Sequence, residues 1–254
     1  MTISILPVKG VGEITPGTDL ARVLTDAMEG DDAIALSDGD ILVVTQKIVS
    51  KAEGRYCDLR HIVPSPEAEE LAAVTRKDPR LVEMILRESE AVVRSAPFVL
   101  ITRHRLGMVM ANAGIDQSNL GPGGEDRILL LPLDPDASAE GIRDTVYRRT
   151  GQSVAVVISD SFGRPWRNGV VNVAIGAAGL ASIVDERGKA DRNGRILGVT
   201  QVALADAVAS AAGLIMGEAA EGIPAAIVRG VALHSAHASP ARALLRPAAE
   251  DLFR

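Results

Sequence analysis

The stretch Val154–Gly169, VAVVISDSFGRPWRNG, constrains this chain more than any other. Its five apolar residues, Val154 to Ile158, predict a buried strand. The strand delivers Ser159, Asp160 and Ser161 to its end. A glycine-punctuated loop follows, carrying Arg164 and Arg167 around Trp166, the single tryptophan. A carboxylate and two hydroxyls suit a hard cation, which takes oxygen ligands. Arginines suit phosphate or carboxylate because they offer paired donors. The same residues also suit a plain strand, a turn capped by Asp160 and two solvated arginines, since Asp and Ser favour turns for local reasons.

The rest of the chain mixes strands and helices without strict alternation. Strands are predicted at 2–8, at 41–44 ending in Thr45-Gln-Lys47, at 129–131 breaking into a Pro/Asp turn, and at 225–228. A hairpin pairs 98–102 with 108–110. Helices are predicted at 19–28, 66–76, 79–94, 138–149 and 200–216, with Gly217 as a stop and a short final helix from Pro240. Ser65 before Pro66 and Asp78 before Pro79 are helix-start signals. The small-residue run 170–180 implies close approach of neighbouring backbones. The expected fold is α+β (mixed α/β), with mixed sheets, flanking helices and two lobes in one domain over 1–254.

Composition removes some function classes. At 47% hydrophobic and 24% charged, the chain is an ordinary globular one. A net charge of -6 with 2% aromatic residues lacks the basic footprint and stacking platforms of a nucleic-acid binder. The lone Cys57 excludes an internal disulfide or a zinc site of several cysteines, and reads as a small structural side chain. No apolar stretch approaches the roughly 20 residues of a membrane span, and no signal peptide is evident, so a cytoplasmic location is expected. There is no G-x-x-x-x-G-K-[ST] and no G-x-G-x-x-G, so a bound nucleotide would sit in neither a P-loop nor a Rossmann site.

Acid- or amide-bearing segments recur: Asn112–Asn119 with Asp116, Asp160-Ser161, Asp206, and Gly217-Glu218. Together they make an oxygen-ligand set for Mg²⁺ or Mn²⁺. Singly, each also suits a cap, a turn or a solvated helix face. Lys47 and Lys51, four apart after a buried strand, suit phosphates or a solvated surface. His61, His104, His234 and His237 form no recognised metal pattern.

Thr45–Gly54 (TQKIVSKAEG), Asn112–Asn119 (NAGIDQSN), Ser159–Gly169 (SDSFGRPWRNG), Val173–Gly176 (VAIG) and Gly222–Gly230 (GIPAAIVRG) stand in one order. In that order the chain resembles the coenzyme F420-0:L-glutamate ligases, the γ-glutamyl ligases of deazaflavin coenzyme biosynthesis, over residues 4–230. The resemblance implies a GTP-dependent, cytoplasmic, homodimeric ligase using two Mg²⁺ or Mn²⁺ ions, helped by K⁺. It would add L-glutamate to coenzyme F420-0, first as an amide and then through γ-linkages, via an acyl phosphate. It matches Asp116 and Asp160 to metal-binding, catalytic aspartates, Ser161 to a hydroxyl ligand that is often threonine, and Glu218 to a second-metal carboxylate. Val11, Gly12, Glu13, Ile14, Gln46, Lys47, Lys51 and Asn119, and the segment starting at Gly217, match GTP-contacting positions. Gln46-Lys47 stands where some members carry Ser-Thr. Some relatives continue into a C-terminal flavin domain, which is not expected here. Arg164 and Arg167 are candidates to grip a substrate phosphodiester or carboxylate. The alternative reading is a metal-dependent nucleotide phosphohydrolase or kinase-like enzyme on another small molecule; a third is a nucleotide-binding sensor without turnover.

Overall fold

The computed structural model describes residues 2–29, 34–121 and 126–251. Six α-helices and twelve strands among these residues form an α+β fold with mixed sheets. Its centre is a five-stranded sheet. The strands are β1 (Ser4–Val8), β2 (Ile41–Thr45), β8 (Ala155–Arg164), β9 (Arg167–Ala178) and β12 (Ala225–Arg229), in the order β1-β12-β2-β8-β9. Only β2 and β8 run parallel, with Thr45 opposite Ser159; the other pairs are antiparallel.

Strand alternation divides the central residues between two cores. Leu42, Val44, Val156, Ile158 and Ile227 face one side. There they meet α1 (Leu20–Met28), α2 (Gln46–Ala52) and α5 (Pro135–Thr150). Ile41, Val43, Ala155, Val157 and Val228 face α6 (Leu204–Met216) on the other. Each fully buried Val, Leu or Ile contributes about 1.5–3 kcal/mol. A third core lies under α3 (Pro66–Thr75), α4 (Pro79–Arg87), a β4-β5-β6 sheet (Ser89–Ala96, Val99–His104, Val109–Ala111) and the short β3-β7 pair (Tyr56–Asp58, Arg127–Leu129). A last hairpin, β10 (Ile183–Asp185) with β11 (Gln201–Ala203), precedes α6.

Three of the expected helix starts are present. Asp19, Ser65 and Asp78 cap α1, α3 and α4 through side-chain oxygens, with Pro66 and Pro79 in the first turns. Gly217 follows α6 at φ 74°, where glycine carries no Cβ penalty. The close backbone approach expected in 170–180 occurs at Gly176, where a Cβ would collide with the Pro135 carbonyl.

Several expectations need correction: the strand expected at 129–131 is β7 over Arg127–Leu129, and the helix expected from 138 starts at Pro135 behind an Asp134 cap. The helix predicted over 79–94 ends at Arg87. The Ser89 hydroxyl bonds the Ile85 carbonyl, and β-branched Val92 and Val93 continue in β4. The helix predicted from 200 starts at 204, because 201–203 pair with β10. Ser159 to Ser161 do not end a strand; β8 runs on to Arg164 and turns straight into β9, so 163–169 is a hairpin rather than a loop. Gln46 and Lys47, expected to end the strand from 41, instead open a helix that the sequence did not suggest, α2 over Gln46–Ala52. No helix among the described residues is long and apolar enough to cross a membrane.

Candidate active site

β2 ends at Thr45, opposite Ser159, while parallel β8 runs on past it through Asp160 and Ser161. Around them lies a cavity of about 680 Å³. Val11, Gly12, Glu13 and Ile14 enter from the loop after β1. Gln46, Lys47 and Lys51 come from α2, where i, i+4 spacing puts both lysines on one face. Asp116 and Asn119 come from the segment after β6, Asp160 and Ser161 from β8, and Gly217 and Glu218 from beyond α6. Every position matched above to metal or nucleotide therefore lines one cavity.

Asp116 is firmly held. Its Oδ2 receives Lys47 Nζ at 2.7 Å, and its Oδ1 accepts from the Ser118 backbone N–H and hydroxyl, each at 2.8 Å. Lys47 also donates to the Ser118 hydroxyl (2.8 Å) and carbonyl (3.2 Å). Burial pushes the Asp116 carboxyl up, but these hydrogen bonds and the Lys47 charge outweigh it and leave its pKa below the ordinary value. Lys51, 7% exposed, pairs with Glu13 at 2.5 Å. Glu218 accepts from Asn172 Nδ2 at 2.7 Å.

Asp160 is the contrast. Burial, with the nearby Asp116 and Glu218 charges, pushes its pKa up to about 7 against the pull of the Ser161 N–H and Lys47. Three carboxylates thus share a cavity in which one is costly to ionise. Their oxygens, with the Ser161 hydroxyl, are the donors a hard cation takes, and a cation there would remove that cost. Among the described residues no three His, Cys, Asp or Glu side chains already converge as a metal cluster. Lys47 and Asn172 hold Asp116 and Glu218 instead.

The segment before Asp116 is strained. Asn112 and Ala113 both take left-handed φ, 52° and 51°, and Asn119 does so at 57°. Such residues cost about 1–3 kcal/mol each and concentrate at functional sites. The turn is followed by a two-way backbone bridge from Asp116 to Leu129, which fixes the aspartate in place.

Some sequence candidates lie elsewhere. Asp206, grouped above with the other acids, is not in this cavity; it accepts from the Ala174 N–H at 2.9 Å on the outer edge of β9. Arg164 and Arg167 sit at the far end of the β8–β9 hairpin, outside the lining, with Arg164 donating to the Asn168 carbonyl. Asn172 was missed. The available signal was a lone amide in an apolar strand, opposite Ser161 in the hairpin register.

Comparison with known proteins matches residues 10–230 to a family model described as F420-0:Gamma-glutamyl ligase. The chain is 46% identical to a protein of Methanopyrus kandleri over 256 residues, covering 100% of this chain and 98% of the relative. It is also 46% identical to one of Methanothermobacter thermautotrophicus, covering 100% of both. A relative in Archaeoglobus fulgidus is 41% identical, covering 100% of this chain and 97% of that one. All three are named coenzyme F420:L-glutamate ligase.

Proposed function

Since the chain belongs to the F420-0:gamma-glutamyl ligase family, we propose that it joins L-glutamate to coenzyme F420-0 at the expense of GTP. A carboxylate does not accept an amine at neutral pH without activation. A coenzyme carboxylate oxygen attacks the γ-phosphorus of GTP, the bond to the β–γ bridging oxygen breaks, and an acyl phosphate and GDP result. The glutamate amine then attacks the acyl carbon. The C–N bond forms, the C–O bond to phosphate breaks, and the amine gives up a proton as phosphate leaves. Further rounds add γ-linked units.

The observation that carries this reading is the joint placement of Asp160, Asp116 and Glu218 with Lys47 and Lys51 around one opening. Phosphoryl transfer asks a protein mainly for positioning and charge stabilisation. Asp116, Asp160, Ser161 and Glu218 would hold Mg²⁺ or Mn²⁺, which when bound neutralises phosphate charge. Lys47 and Lys51 would exchange their carboxylate partners for phosphate oxygens. Val11 to Ile14, Gln46, Asn119 and Gly217 would border the nucleotide. K⁺ assistance, a homodimer and a cytoplasmic setting belong to the same proposal.

The test is mass spectrometry of purified protein with GTP, Mn²⁺, L-glutamate and coenzyme F420-0. Stepwise gain of glutamyl units, lost without GTP, is expected. GTP turnover indifferent to glutamate and coenzyme would overturn the ligase and favour a phosphohydrolase.

A further inference from the structure

A second cavity, of about 410 Å³, adjoins the first and is unused by the chemistry above. It falls in the ~300–1,000 Å³ range of small-molecule sites. We propose that this cavity seats the planar aromatic ring system of the deazaflavin substrate, while the first holds its phosphate- and carboxylate-bearing end. The proposal rests on the ligase reading.

Three observations support it. The two cavities share a wall. Phe162 lines both, Met108 and Val109 line the second while Met110 and Ala111 line the first, and on β9 Val173 follows Asn172 across the same boundary. A ligand with a polar end and a ring need only pass Phe162 to occupy both. Phe162 is also the one aromatic side chain lining either cavity among the described residues.

The walls differ in chemistry. Charged and amide groups surround the first cavity, whereas Leu106, Met108, Ile175, Leu244 and Leu245 line the second. An amphipathic substrate placed across them buries its ring against apolar carbon and keeps its anionic end among lysines.

Four charged side chains also line the second cavity, and three of them are engaged: Asp134 accepts from the Ala137 N–H, and Arg242 lies 3.9 Å from Asp136. Asp136 is committed to structure, accepting from the backbone N–H groups of Ala177, Ala241 and Arg242. Asp206 accepts through Oδ1 from Ala174, and its Oδ2 has no hydrogen-bond partner among the described residues. Burial raises its pKa above the ordinary carboxylate value. A deazaflavin ring carries a pyrimidinedione edge with an imide N–H. That imide N–H is a donor that the unpartnered Asp206 oxygen can accept.

The test uses Val109→Trp, which fills the cavity from an exposed position on β6, and Asp206→Asn, which keeps an acceptor for Ala174 but replaces the free oxygen. Deazariboflavin, which has the ring but neither phosphate nor carboxylate, is titrated by its own fluorescence. Val109→Trp should weaken its binding, and raise KM for coenzyme F420-0, by about tenfold or more, with affinity for a non-hydrolysable GTP analogue unchanged. Asp206→Asn should raise the same KM several-fold and leave kcat alone. Ring titration needs neither GTP nor glutamate, so it reads the subsite even if the ligase reaction fails. Wild-type ring affinity in a cooperatively folding Val109→Trp overturns the proposal, as does a wild type that does not bind the ring. Active ligase with an unchanged coenzyme KM overturns the subsite alone. A changed oligomeric state with unchanged ring affinity would assign the cavity to self-association.

Discussion

Asp160→Asn should make the metal-free protein more stable while ending its chemistry. In the fold the Asp160 carboxyl titrates near 7, against an ordinary value of 3.8, because it is buried beside Asp116 and Glu218. A raised carboxyl pKa means that the folded state holds a proton which the unfolded chain has released. The resulting penalty is absent below about pH 4, grows between about pH 4 and 7, and is complete above that. Converted at 1.36 kcal/mol for each tenfold change in proton affinity, it is on the order of 4 kcal/mol at pH 8. Asparagine has nearly the same shape and keeps an oxygen for the Ser161 N–H, but it never ionises. Urea unfolding in EDTA should therefore show the variant ahead at pH 8. The gap should shrink by roughly 3 kcal/mol on going to pH 5. Adding Mn²⁺ should raise the wild type far more than the variant, and GTP-dependent glutamylation should disappear in the variant. A variant no more stable than wild type at pH 8, or a gap that does not move with pH, would refute the reasoning.

Lys47→Met removes the cation bound to Asp116. Mn²⁺ alone, followed by electron paramagnetic resonance, should bind several-fold tighter, and a GTP analogue about tenfold weaker. Lys51→Met, which makes the same charge change away from Asp116, should show the smaller Mn²⁺ effect. Arg229→Ala should destabilise by about 3 kcal/mol in urea unfolding, because Asp40, 1% exposed, loses the partner 2.7 Å away that ties the end of β12 to the start of β2. Gly176→Ala should cost about 1–3 kcal/mol through its clash with the Pro135 carbonyl, read as a lowered Tm. Gly12→Ala, with no neighbour near its added Cβ, should leave stability nearly unchanged.

Much of the fold was legible where local signals acted alone. Asp19, Ser65-Pro66 and Asp78-Pro79 declare helix starts through hydrogen bonds within three residues. Apolar runs at 41–44 and 225–228 declare strands buried on both faces. Legibility failed where partners decide. Ser159-Asp160-Ser161 breaks the apolar pattern, yet the backbone ladder to β9 carries the strand through it. Residues 89–94 sustain a helical pattern until β5 offers an edge. At the site, the order of motifs named the acids, but Asp206 was grouped with them wrongly. It lies in the first turn of α6 and Glu218 two residues past its end, and the helix from Asp206 to Met216 alone spans about 15 Å. The Lys47–Asp116 pair and the Asn172–Glu218 bond span gaps of 69 and 46 residues, which periodicity cannot bridge.

The middle position of β12 also sets a schedule for synthesis. β1 touches the rest of the sheet only through β12, which is made more than two hundred residues later. A growing chain on the ribosome can pair β2 with β8, but its first strand must wait, and β2 keeps a bare edge until residues 225–229 emerge. Val11 to Ile14 hang from that waiting strand, so the first cavity closes as nearly the last act of folding. A ribosome stalled before Ala225 would hold a nascent chain with its helices formed and no place to bind.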